Sequence, residues 1–157
     1  MTQPWLPPAL RNPNVITRYH NLIHPTPTTT GCLVWLGALS AQGSGRFWVE
    51  QGHVIIAHRF GYALTHGTTT QLQIAHTCDE AWCQNPAHWE QATPAQNTND
   101  WIRRRDHLGN PLRDTRGALG RAKAIRTAAR TGTDINAALH AGLPELDLYQ
   151  THLPGLD

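Results

Sequence analysis

The sequence predicts an α+β fold, and three observations predict it. Short apolar runs with period-two alternation fall in the first half of the chain, as in "GRFWVEQGHVIIAH" and "QLQIAH". "TPAQ" at 93–96 is a helix start, with Thr93 as N-cap, Pro94 at the first helical position and Gln96 completing a capping box. From Leu119 the texture turns Ala/Arg-rich with Gly breaks, which predicts a helical C-terminal tail.

A chain of 157 residues suits one domain with an appendage. With 39% hydrophobic and 15% charged residues the core is modest, and six Trp help to supply it. Eleven Pro and 13 Gly predict many turns. No run approaches the roughly 18 apolar residues of a membrane span. The start, "MTQPWLPPAL", lacks the basic-then-apolar layout of a secretory signal, so the expected setting is the cytoplasm. Three Cys is an odd number, which there favours a metal site or buried thiols over disulfides. The net charge of +2 is unevenly spread: nine of 13 basic residues lie between Arg103 and Arg130, against two acids, Asp106 and Asp114. That excess suits a polyanion such as nucleic acid, and equally a solvated basic helix.

Taken in order, residues 1–30 read as an extended arm, with "NVITRYHNLI" as a short helix capped by Asn14. "CLVWL" (32–36) reads as a strand. "GRFWVEQGHVIIAH" (45–58) reads as two strands about a turn at Gln51-Gly52. "AHRFGYALTHG" reads as a helix stopped by Gly67, and "TTTQLQIAHTC" as a β-segment with Leu72, Ile74 and His76 on one face. The capped helix should run from 94 to about 107, with Gly109 beyond it. Next come "LGRAKAIRTAARTG", "TDINAALHAG" capped by Thr133, and "LPELDLYQTHL". Three short helices resemble a helix-turn-helix unit. The third, however, carries Glu145 and Asp147 and no Lys or Arg, which suits a structural or dimerising tail as well.

Cys78 and Cys83 have four residues between them, as do Cys83 and His88. Thiolates plus imidazole are the usual structural zinc set, and Cys32, the third thiol of the chain, is the available fourth ligand. Small buried hydrophobes are the competing reading. Asn85-Pro86 should set the turn between the ligands. His76 ends the β-segment and has the chemistry of a general base, or of a residue packed with Leu72 and Ile74. Asn97 lies one turn into the capped helix, 21 residues on, where a carboxamide oxygen can bind a hard cation such as Mg²⁺. A His on a β-segment and an oxygen ligand on a helix make a small metal-nuclease layout.

These residues resemble a known family. "AHTCDEAWCQNPAHWEQATPAQN" is similar to the HNH, or ββα-metal, nucleases, above all the His-Cys box homing endonucleases and phage HNH proteins, over about residues 30–105. The shared pattern is H-x-C-x4-C-x-N-P-x-H with Asn nine residues later, occupied here by His76, Cys78, Cys83, Asn85, Pro86, His88 and Asn97. The resemblance implies a ββα-metal core with preceding β-strands, a structural zinc loop and a helical tail. His76 would be the general base. Asn97 would hold a catalytic Mg²⁺ or Mn²⁺. Cys32, Cys78, Cys83 and His88 would hold structural Zn²⁺, Asn85 would support the turn, and Arg46 would grip the phosphate near the scissile bond. The chain departs from the pattern at Ala75, where many members carry a second metal ligand, and lacks a second zinc cluster.

The expected division is 1–30 arm, 31–108 nuclease domain and 109–157 basic helical tail. The expected activity is divalent-metal-dependent endonuclease cleavage of double-stranded DNA, by a homodimer where both strands are cut, in a bacterial or phage-infected host cell. Strands such as "GRFWVE" would enter the major groove, and Arg103, Arg104, Arg105 and the run to Arg130 would meet phosphates. A zinc-stabilised DNA-binding module without catalysis and a structural zinc protein for a protein partner are the alternatives.

Overall fold

The structure is a computed structural model that describes residues 4–150, without the side chains of 149 and 150. It is a mixed α+β arrangement of two small antiparallel sheets and flanking helices.

The N-terminal stretch differs from the expected extended arm. It holds two helices, α1 (Leu6–Ala9) and α2 (Pro13–Asn21). Asn12, not Asn14, caps α2: its side chain accepts the Asn14 N–H at 3.0 Å, and Pro13 takes the first helical position. Val15 and Tyr19, one helical turn apart, are buried with Leu6 and Ala9 in the main core. Tyr19 packs against Phe47 and Phe60, with ring centroids 5.4 and 5.1 Å away. Apolar residues at helical spacing need a surface to cover, and a long-range partner supplies it.

"CLVWL" is not a strand. Val34 and Trp35 make isolated antiparallel bridges to Cys83 and Ile23 respectively. The segment is shared between two neighbours and forms a ladder with neither. Its side chains Cys32, Val34 and Trp35 are all fully buried.

The first sheet has the order β1 (Ala38–Leu39), β2 (Gly45–Glu50), β3 (His53–Ile56). Alternation holds along β2: Phe47 and Val49 face the core, while Arg46, Trp48 and Glu50 face out. The turn falls at Gln51-Gly52 as expected, and Gly52 has φ +79°, where a side chain would be strained. Helix α3 (Ala57–His66) follows directly and ends at left-handed Gly67.

The second sheet pairs β4 (Gln73–His76) with β5 (Trp89–Ala92), and His76 lies opposite Trp89. Helix α4 (Pro94–Arg104) follows with both capping-box bonds made. It stops at Arg104, short of the expected end, and turns lead to Gly109 at φ +74°. The β4–β5 hairpin followed by α4 places the end of one strand beside one face of a helix.

The tail contains α5 (Gly117–Thr131), α6 (Ile135–His140) and α7 (Glu145–Gln150). Asp134, not Thr133, caps α6, accepting the N–H groups of Asn136 and Ala137 at 2.8 and 3.1 Å. Ala122, Ile125 and Leu139 join the same apolar core as the N-terminal helices, so all three expected stretches pack together. Asp147, expected to repel phosphates, is buried. It accepts from Arg113 Nε and Nη2 at 2.6 and 3.0 Å and from Gly109 N–H.

Part of the basic run is engaged by the protein itself, while Arg103, Arg105, Lys123 and Arg130 stay exposed. Arg121 is buried and donates to Glu80, to Asp114 at 2.9 Å and to the Leu139 carbonyl at 2.6 Å. Arg116 also pairs with Asp114, and Arg126 donates to the Gly37 carbonyl. Most of the partners lie far away in sequence, so a local count of charges misses them. Burial pushes the Glu80 carboxyl up against the pull of Arg121. Burial would also raise Asp114, but hydrogen bonds from Arg116 and Arg121 bring it down to about 2.

Removing Arg121 would leave Glu80 and Asp114 buried with their shared cation gone. Arg121→Ala is expected to cost roughly 3–5 kcal/mol in urea unfolding. Arg121→Met combined with Glu80→Gln should recover part of that loss, because it removes charge from both sides of the pair.

Candidate functional site

Cys32, Cys78, Cys83 and His88 converge, with their four ligand atoms all within 4.8 Å of one another. Each comes from a different local device. Cys32 opens the bridged segment, and its N–H is held by Thr28 Oγ1 at 3.0 Å. Cys78 follows β4, and Cys83 sits in the bridge to Val34. His88 ends a short 3-10 helix, Pro86–His88. Asn85 ties the two halves together. Its Oδ1 accepts the Ala87 N–H at 3.0 Å, and its Nδ2 donates to the Gly31 carbonyl, beside Cys32, at 2.7 Å. The expected turn-supporting role therefore extends to a long-range clamp.

The donor set fits a tetrahedral zinc. His88 Nδ1 is 3.5 Å from both Cys32 Sγ and Cys83 Sγ. With Zn–S of about 2.3 Å and Zn–N of about 2.0–2.1 Å, a tetrahedron has N···S edges of about 3.5 Å. The three cysteines are free thiols. Hydrogen bonds from Cys78 and Cys83 pull the Cys32 thiol down. The same contacts with Cys32 push Cys78 up and raise Cys83 to about 12. A divalent metal supplies the charge that lets all three ionise.

The protein on the far side of this loop forms a cleft of about 280 Å³, lined among others by His76, Asp79, Asn97, Trp101 and Arg104. His76 Nε2 lies 2.9 Å from the Cys83 carbonyl, which also accepts from Trp89 Nε1 at 3.2 Å. A carbonyl can only accept, so Nε2 carries the proton and Nδ1 keeps its lone pair. Burial lowers the His76 pKa, so the ring is neutral near pH 7. The buried His58 ring meets it edge-on, with centroids 4.5 Å apart.

On α4, Asn97, Trp101 and Arg104 recur at helical spacing and line the same cleft. The carboxamide of Asn97 makes no hydrogen bond among the described residues, whereas its N–H is taken by the Thr93 carbonyl at 3.0 Å. His76 and Asn97 are thus brought to one cleft, as the sequence suggested.

The expected arginines separate. Arg46 is exposed on the outer face of β2 and is not among the residues lining the cleft. Arg103 is exposed beside Asp100, and Arg105 lies over the Trp101 ring at 4.8 Å. Arg104 alone of the three reaches the cleft, where it pairs with Asp79 at 3.1 Å. Asp79, Trp101 and His58 were not foreseen. Spacing from Asn97 could have found Trp101, whereas nothing local marks Asp79 or His58.

Purified protein is expected to carry about one zinc per chain. Cys78→Ser should lower that content and reduce the unfolding midpoint together, as read by metal analysis and thermal denaturation. A metal-free protein with an unchanged midpoint would exclude the centre.

No known family profile and no solved structure matches the chain. Among curated proteins it is similar to Protein 2.8 of Escherichia phage T7, at 35% identity over 89 residues, covering 55% of this chain and 61% of that protein. It is also similar to Protein 7.7 of the same phage, at 35% identity over 72 residues, covering 45% of this chain and 55% of that protein. The chain therefore spans a little over half the length of these curated relatives.

Proposed function

We propose that the chain is a divalent-metal-dependent DNA endonuclease of the HNH (ββα-metal) kind. The observation that carries this reading is the fixed tautomer of His76. The Cys83 carbonyl takes its Nε2 proton and leaves Nδ1 as an acceptor, and His76 lines the same cleft as Asn97, whose carboxamide is unpartnered among the described residues.

In this reading His76 Nδ1 takes the proton of a water whose oxygen attacks phosphorus. The P–O3′ bond breaks, and the 3′ oxygen leaves with its electron pair and is protonated by solvent. Asn97 is the residue that would hold Mg²⁺ or Mn²⁺, which supplies Lewis-acid stabilisation of charge on the leaving oxygen. Ala75 offers no ligand beside His76, and Asp79 spends both carboxylate oxygens on Arg104 and Asn110. On α4, Asn97 offers a free carboxamide oxygen to the cleft, next to the Thr98 hydroxyl. Burial keeps His76 neutral and able to accept a proton.

Double-stranded DNA would lie across the cleft. The outward face of β2, with Arg46 beside Trp48, suits a groove, and exposed Arg103 and Arg105 suit phosphates. A homodimer would present two clefts for cutting both strands. No helix among the described residues is long and apolar enough to cross a membrane. Relatives in phage T7 favour an infected bacterial cell as the setting.

The test is nicking of supercoiled plasmid with Mg²⁺. His76→Ala should slow cleavage by about 10²–10⁴-fold while zinc content stays the same. Asn97→Ala should slow it comparably and raise the Mg²⁺ concentration needed. Equal cleavage by wild type and His76→Ala would remove the proposed base. Salt-sensitive DNA binding without cleavage under any divalent metal would assign the chain as a zinc-stabilised binding module instead.

A further inference from the structure

We infer that Arg104 grips the reacting phosphodiester, and that Asp79 and Asn110 are positioning residues that aim it. This rests on the nuclease reading above and names a further group in the same cleft.

The cleft contains the reaction's base and its metal-binding carboxamide, but a phosphodiester undergoing attack gains negative charge that a fixed cation stabilises best. Arg46, the residue expected to supply it, lies elsewhere on the outer face of β2. Of the residues lining the cleft, Arg104 is the one with a permanent positive charge. It stands seven residues after Asn97 on α4, two turns along the same face.

Its guanidinium is held from behind. Nη2 pairs with Asp79 Oδ1 at 3.1 Å, and Nη1 donates to the Thr77 carbonyl at 3.4 Å. The other oxygen of Asp79 accepts Asn110 Nδ2 at 2.8 Å, so the carboxylate is itself fixed from two sides. Asp79 has φ +58°, the one non-glycine residue in the left-handed region among the described residues, and its side chain is 8% exposed. A strained backbone that delivers a nearly buried carboxylate to one guanidinium indicates a placement that matters.

The arginine is not used up by this holding. A guanidinium carries five N–H groups in a fixed fork. Two are engaged, by Asp79 and Thr77. Each Nη keeps one more, and Nε–H is enclosed with no acceptor. Arg104 side chain remains 25% exposed. An oriented fork with unmet donors at the wall of an open cleft suits the non-bridging oxygens of a phosphate. A merely structural ion pair between the loop and α4 would need neither the open side nor the spare donors.

The experiment is single-turnover cleavage with Mg²⁺ by the full chain, with DNA affinity and zinc content measured on the same samples. Arg104→Ala should cut the rate by about 10²–10³-fold, change DNA affinity less than tenfold and leave zinc content unchanged. Arg104→Lys should recover part of the rate, because a point charge replaces the fork. Asp79→Asn and Asn110→Ala should lower the single-turnover rate about tenfold with DNA affinity held, because the guanidinium is still present but no longer aimed. The inference is overturned if Arg104→Ala cleaves within about threefold of wild type. It is also overturned if its loss of rate is matched by equal loss of affinity or of zinc, the pattern of a backbone contact or a structural pair. Failure of the wild type to cleave any DNA would sink the nuclease reading and this inference together. Cleavage by wild type with an unimpaired Arg104→Ala sinks this one alone.

Discussion

Cys83 is bonded through every polar group it has, and the site hangs from it. Its Sγ belongs to the Cys3His cluster, its N–H goes to the Glu80 carbonyl, and its own carbonyl accepts both His76 Nε2 and Trp89 Nε1. It also bridges Val34, which brings Cys32 from the other end of the domain. A metal held on the sulfur side would therefore restrain the backbone that sets the histidine on the carbonyl side. The link within Cys83 is short and covalent, so the His76 ring is placed within one residue of the candidate metal cluster rather than across a flexible loop.

The loop from Cys78 to Cys83 is held on its other flank by charge. Glu80 and Asp114 share Arg121, and all three are buried. Asp79 reaches instead to Arg104 and Asn110. Consecutive acids thus point to opposite tasks, one fastening the tail and one facing the cleft. A chain with modest apolar content gains little from its core alone, and a satisfied ion network, with a metal held by the Cys3His group, would offset that shortage. The same accounting explains why an apparently basic tail presents so little free charge. Arg113, Arg116, Arg121 and Arg126 are engaged by protein oxygens. Lys123 and Arg130 stay exposed.

Several elements were legible because their signals are local. The Thr93–Gln96 capping box, the Gly52 turn and the Gly67 and Gly132 helix ends each follow from residues within one turn of one another. The cluster spacing from Cys78 to His88 was legible for the same reason. Apart from two caps that fall one or two residues from the expected position, at Asn12 and Asp134, the departures fall where the deciding partner is remote. The N-terminal helices look like an arm until Tyr19 meets Phe47 and Phe60. "CLVWL" looks like a strand until its neighbours turn out to be Ile23 and Cys83, and β5 is visible only once β4 is beside it.

The sequence by itself therefore determined the α+β character, the Thr93 capping box, the glycine turns and helix ends, and which cysteines and histidine gather into the candidate metal cluster. Residue type and short spacing decide those. Tertiary structure alone decided which nitrogen of His76 carries the proton, that Arg104 rather than Arg46 enters the cleft, and that Arg113, Arg116 and Arg121 of the basic run are paired with acids of the protein. Each of those depends on hydrogen-bond and ion-pair partners brought together by packing, at distances along the chain over which charge count and periodicity carry no information.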